Sequence, residues 1–128
     1  MGKIKFNIEY DLGHTSPSRL WSHLQSDTGL ESWFADRVEQ DGKSFTFHWG
    51  DATQVASLVS MRRDVYVRYH WNDDTERSFF EMRISKSELT DMTTLTITDH
   101  AEDADDQDEL TDLWDQQIDN LKRTLGIN

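Results

Sequence analysis

The side chains in this sequence that could do chemistry are numerous but do not gather into a known catalytic pattern. His14, His23, His48, His70 and His100 are of the residue type that most often transfers protons in active sites. They are scattered, and the alternation around His48 and His70 puts both on the side of their strands opposite the apolar residues, which is the placement of surface histidines. With no cysteine in the chain, thiolate nucleophiles, thiolate metal sites and disulfides are all excluded. The acidic run Glu102 to Glu109 alternates Asp103, Asp105, Gln107 and Glu109 as a calcium loop does. The comparison fails at two positions, because the sixth residue is Asp108 where a sharp turn needs glycine and the twelfth is Trp114 where the ion needs a bidentate glutamate. A solvated acidic stretch leading into a helix is the better reading. There is no nucleophile elbow, zinc-binding helix motif or phosphate-binding glycine loop. No catalytic residue, metal ligand or cofactor is therefore assigned from motifs.

Charge narrows the partners. The formal net charge is −12, and the only adjacent basic residues are the isolated pairs Arg62-Arg63 and Lys122-Arg123. Such a chain repels phosphate backbones and anionic membranes, so nucleic acid is not an expected partner. No run of about 18 apolar residues and no basic start followed by an apolar core occurs, so neither a membrane span nor a signal peptide is expected and the expected location is cytoplasmic. A length of 128 residues suits one domain, residues 1–128. Five Trp, three Tyr and six Phe supply large units of burial to a composition that is otherwise polar, with 35% hydrophobic and 30% charged residues.

The elements that must position these side chains follow from periodicity. Ile4, Phe6, Ile8 and Tyr10 alternate with polar neighbours, the period of a half-buried strand. Ser16 before Pro17 starts a short helix carrying Leu20, Trp21 and Leu24, which ends near Ser26. Asp27 then caps a second short helix through Leu30, Trp33 and Phe34. From Arg37 to His100 the pattern becomes about six strands. Turns fall at Asp41-Gly42, Gly50-Asp51, Asn72 to Asp74 and Thr90-Asp91. Phe45, Phe47 and Trp49 form one apolar row, Val65, Val67, Tyr69 and Trp71 a second, Phe80, Met82 and Ile84 a third, and Leu95 and Ile97 a fourth. Between Thr53 and Met61 two registers compete, Val55, Val59 and Met61 against Ala56 and Leu58, and a bulge would switch between them. Leu110, Leu113, Trp114, Ile118, Leu121 and Leu125 make a long helical stripe ended by Gly126. The order predicts an α+β fold, with an antiparallel sheet whose apolar face is covered by the C-terminal helix.

Three stretches in this order resemble a known family. LWSHLQSDTGLESWFAD is similar to a tryptophan-containing helix followed by a Trp-Phe pair, VYVRYHW to a strand ending in tryptophan, and TTLTITDHAED to a late strand of alternating threonines. Together they resemble the START-like, or Bet v 1-like, superfamily, in the branch named for the activator of the ninety-kilodalton heat-shock-protein ATPase. The resemblance runs over nearly the whole chain and implies a helix-grip fold. In that fold a curved antiparallel sheet wraps a long C-terminal helix, and two short helices close one end of a cavity between them.

The resemblance also implies a site. Trp33 and Phe34 would stand at the mouth or wall of the cavity, with Phe47, Trp49, Tyr69, Trp71, Trp114 and Ile118 as further lining, against the competing reading that these aromatics fill the core. Family members with cyclase or hydrolase activity need converging polar groups, for which this sequence offers Tyr69, Ser57 and Asp99. The leading reading is a module that binds a hydrophobic small molecule. The alternatives are a protein-interaction domain similar to a chaperone ATPase activator, and an enzyme of the polyketide cyclase-like type. Oligomeric state is left open.

Overall fold

The computed structural model describes residues 3–74 and 78–127. In chain order the elements are β1 (Ile4–Asp11), α1 (Pro17–Trp21), α2 (Asp27–Glu31), β2 (Arg37–Asp41), β3 (Ser44–Trp49), β4 (Ala52–Arg62), β5 (Tyr66–Trp71), β6 (Phe80–Lys86), β7 (Thr93–Ala101) and α3 (Ala104–Leu125). The strands form one antiparallel sheet in the order β1-β7-β6-β5-β4-β3-β2, so the first strand of the chain lies beside the last. This is the expected α+β helix-grip arrangement: a curved sheet with the long helix held on its apolar face and the two short helices beside it.

Strand parity sorts the side chains as the sequence predicts. Phe45, Phe47, Val67, Tyr69, Phe80, Met82, Ile84, Leu95 and Ile97 are all buried, and they join one contiguous core with residues of the three helices. Register aligns the rows: Val38 faces Phe47, Tyr69 faces Phe80, and Ile97 faces Met82 on one side and Ile8 on the other. The two competing registers in β4 are both present, separated by an irregularity between Leu58 and Ser60. Before it Ala56 and Leu58 turn inward. After it Met61 pairs with Val67, while Val59 is the extra, exposed residue that makes the switch.

The helix boundaries differ from the sequence expectation in three places. The regular part of α1 stops at Trp21, and the chain continues to Leu24 through looser turns. The cap of α2 is Ser26 rather than Asp27: its side-chain oxygen accepts the Gly29 amide at 3.1 Å. The helix ends at Glu31 with Ser32 as its C-terminal cap, so Trp33 and Phe34 lie beyond it rather than on it. The third helix begins at Ala104, because Asp103 accepts the Asp106 amide at 2.8 Å, so most of the acidic run is first and second turn rather than loop. Gly126 ends α3 in the left-handed conformation at φ 76°, as expected. Each cap contributes about 1 kcal/mol. Burying Trp114, Ile118, Leu121 and Leu125 contributes about 1.5–3 kcal/mol apiece, so packing onto the sheet outweighs the caps in holding α3.

Candidate ligand-binding cleft

The segment after α2 brings the aromatics together. Phe34 is the hub, with its ring centroid 5.4 Å from Trp33, 5.2 Å from Phe47, 5.7 Å from Trp49, 5.8 Å from Phe80 and 5.6 Å from Trp114. Several of these contacts are edge-to-face, the arrangement that ring quadrupoles prefer. The Phe34 carbonyl holds the cluster in place by accepting two hydrogen bonds, from Trp49 Nε1 at 2.8 Å and from Gln117 Nε2 at 3.0 Å. A carbonyl oxygen has two lone pairs, so this one is saturated. One backbone atom thus ties the α2–β2 segment to both β3 and α3. Trp33 is fixed separately, its indole donating to the His23 carbonyl at 2.8 Å.

Beside this cluster a cleft of about 940 Å³ runs along α3 between the helix, the segment from Glu31 to Asp36 and one end of the sheet. Its walls include Trp33, Phe34, Trp49, Trp71, Phe80 and Trp114. Trp49 and Trp71 are only half-buried, with ring centroids 6.1 Å apart, and Trp71 stacks on Phe80 at 5.0 Å. On the helix side Leu110 and Leu113 flank the opening, and Leu113 is 49% exposed.

Of the residues expected at the site, Trp33, Phe34, Trp49, Trp71 and Trp114 border the cleft. Phe47, Tyr69 and Ile118 are buried behind it, in the core. Tyr69 is fully enclosed, its hydroxyl donates to the Leu24 carbonyl at 2.8 Å, and burial pushes its pKa well above the ordinary phenol range. It is therefore a core hydrogen bond rather than a free acid. Ser57 lies on the outer face of the sheet, paired in register with His70, and donates to Asn72 Oδ1 at 2.7 Å. Tyr69, Ser57 and Asp99 thus do not converge, and the chain has no triad of polar groups at those positions. Among the described residues no group of three or more His, Asp or Glu side chains could hold a metal ion.

Asp99 does reach the cleft. In β7 it continues the inward row of Thr93, Leu95 and Ile97. Its Oδ2 accepts the Trp114 indole N–H at 2.8 Å and its Oδ1 accepts the His100 amide at 2.8 Å. Burial raises its pKa above the usual aspartate value; the two donors and the positive charges of His100 and Lys3 oppose that shift without cancelling it. Gln54 and Gln117 also line the cleft and were not singled out from sequence. Gln117 had a legible signal, an amide three residues after Trp114 in the buried stripe. Gln54 had none, because its inward direction depends on the bulge beyond Leu58.

A family model described as a START-like superfamily domain matches residues 1–127. The chain belongs to the START-like superfamily. Among solved structures it is similar to BfR322 from Bacteroides fragilis, with 43% identity over 98% of this chain and 93% of that one and a TM-score of 0.70. The START-like fold is shared at low identity with the Aha1 dimer from Colwellia psychrerythraea, at 15% identity, 93% coverage of both chains and a TM-score of 0.77. It is also shared with DynU16, a protein in the dynemicin biosynthetic locus, at 14% identity and a TM-score of 0.79, over 95% of this chain and 47% of that one. None of the curated proteins matches the sequence.

Proposed function

We propose that this START-like chain is a binding module that takes a hydrophobic small molecule into the cleft between its sheet and α3. One observation carries the reading: a domain of this size keeps about 940 Å³ open beside half-buried Trp49 and Trp71 rather than closing α3 over them. Domain interiors hold few voids larger than a water molecule, whereas small-molecule sites are concave, mostly apolar and about 300–1,000 Å³. Polar side chains also line the cleft, among them Asp99, Gln54, Gln117, Glu31, Asp36, Asn120 and Arg123, and such groups orient a ligand against the aromatic wall.

The test is native mass spectrometry of the purified protein, followed by tryptophan-fluorescence titration with a panel of a fatty acid, a sterol and the neutral polycycle 1-pyrenemethanol. Saturable quenching is expected with at least one of them. Gln54→Trp, which fills the cleft from an exposed position, should abolish the quenching while leaving the melting temperature in place. Absence of a bound mass and of saturable quenching across the panel would overturn the reading and favour a protein-interaction domain.

A further inference from the structure

We propose that the cleft selects a ligand whose aromatic or polycyclic body carries a cationic amine, and that Asp99 is the group that receives the amine; this rests on the binding reading above. Asp99 is a carboxylate in a row of β7 whose other members are Thr93, Leu95, Ile97 and Ala101, all buried. An ionised carboxylate offers about four acceptor positions, of which the Trp114 indole and the His100 amide occupy two. None of the ion pairs among the described residues includes Asp99. The protein thus sets an acid at the cleft wall, holds it with two neutral donors and, among the described residues, places no cation in ion-pair contact with it, the charges of His100 and Lys3 acting at longer range. A half-buried carboxylate in that state is penalised by desolvation, and an incoming cation relieves the penalty.

The rest of the lining agrees in sign. Glu31 and Asp36 are the other acids at the cleft, each accepting a backbone amide, from Val38 at 3.0 Å and from Gly50 at 2.7 Å. Arg123 is the cation in the lining. It stands nine residues beyond Trp114 on α3, roughly 13 Å along the helix, and donates to Asn120. The end of the cleft at Asp99 is therefore acidic and walled by Trp71, Phe80 and Trp114, whose rings attract a cation as well as an apolar body. A carboxylate ligand meets the opposite: three lining acids on a chain of net charge −12.

Three probes with one ring system test this: 1-pyrenemethylamine, neutral 1-pyrenemethanol and 1-pyrenecarboxylate. They are titrated at about 0.5 M NaCl, where the diffuse attraction of an acidic chain for any cation is screened and direct contact is not. The amine is expected to bind about tenfold or more tightly than the alcohol, with the carboxylate weakest, and Asp99→Asn should bring amine and alcohol to within about twofold. If the alcohol binds and the amine has no advantage, or keeps its advantage in Asp99→Asn, the inference is overturned and the binding reading stands. If none of the three binds while the fatty acid or the sterol does, the inference is overturned and the binding reading stands; if nothing in either set binds, both fall. Should Asp99→Asn fail to fold, the Trp114 indole N–H resonance of the native protein decides instead. The amine must shift it more than the alcohol does, and equal shifts overturn the assignment.

Discussion

Two carboxylates, Glu81 and Asp99, show how one chemical group takes opposite roles according to what surrounds it. Glu81 on β6 points to the outer face yet is buried, bridging Arg68 at 2.7 Å and Arg83 at 3.1 Å. Burial is the largest single influence on it and would raise its pKa, but the two guanidiniums together overcome it and hold the carboxyl below its usual value. Its contribution is fully present above the unfolded pKa and is lost as pH falls through the folded one. Asp99 has the opposite sign. Its folded pKa lies above the unfolded value, so in that interval the folded state binds more protons and stability declines as pH rises. Urea unfolding from about pH 3 to about pH 8 should therefore separate them. Glu81→Gln is expected to be less stable than the native protein at neutral pH and to lose part of the acid limb. Asp99→Asn is expected to be more stable at neutral pH, with the gain shrinking as pH falls. An Asp99→Asn protein less stable than wild type at neutral pH would mean that its hydrogen bonds to Trp114 and His100 matter more than its desolvation.

At the scale of elements, the short helices position the site although neither is long enough to be stable alone. Their register is set by close packing between them. Gly29 in α2 lies against the end of α1: a Cβ there would collide with the Ser22 carbonyl oxygen and come within 2.9 Å of His23 Cα. Both are backbone atoms and cannot rotate away. Gly29→Ala is accordingly expected to destabilise by about 1–3 kcal/mol despite the better helix propensity of alanine, measured as a lower urea midpoint with unchanged slope. An increase in stability would show that the α1–α2 junction has room to adjust. The junction was only half legible in sequence. Ser16-Pro17 marks a helix start by local chemistry, but choosing between Ser26 and Asp27 as the next cap depends on which oxygen reaches the Gly29 amide.

Over the whole molecule, a net charge of −12 on 128 residues repels itself in the compact state. Calorimetric melting should therefore move to higher temperature as sodium chloride is raised from about 10 mM to about 500 mM, over which the Debye length shortens several-fold. A melting temperature that does not respond would show that local pairs such as Lys3 with Asp74 and Lys86 with Asp91 already offset the repulsion. Much of this molecule could be read from the chain alone, because parity, turn glycines and the stripe of α3 are local properties enforced by backbone geometry and by burial of one face. The sheet, its inward rows and the covering helix followed from them, and the resemblance supplied the grip. What parity cannot resolve is how deep an inward side chain sits. Phe47, Tyr69 and Ile118 point the same way as Trp49, Trp71 and Trp114, yet the first three lie behind the wall and the second three form it, according to where α3 and the Phe34 hub close over the sheet. Ser57 was offered as a cavity group while the register of β4 stayed open between two apolar rows, and pairing with β5 turns it to the outer face. Depth, and with it the cleft, arises from contacts between residues distant in sequence, and no local pattern encodes those contacts.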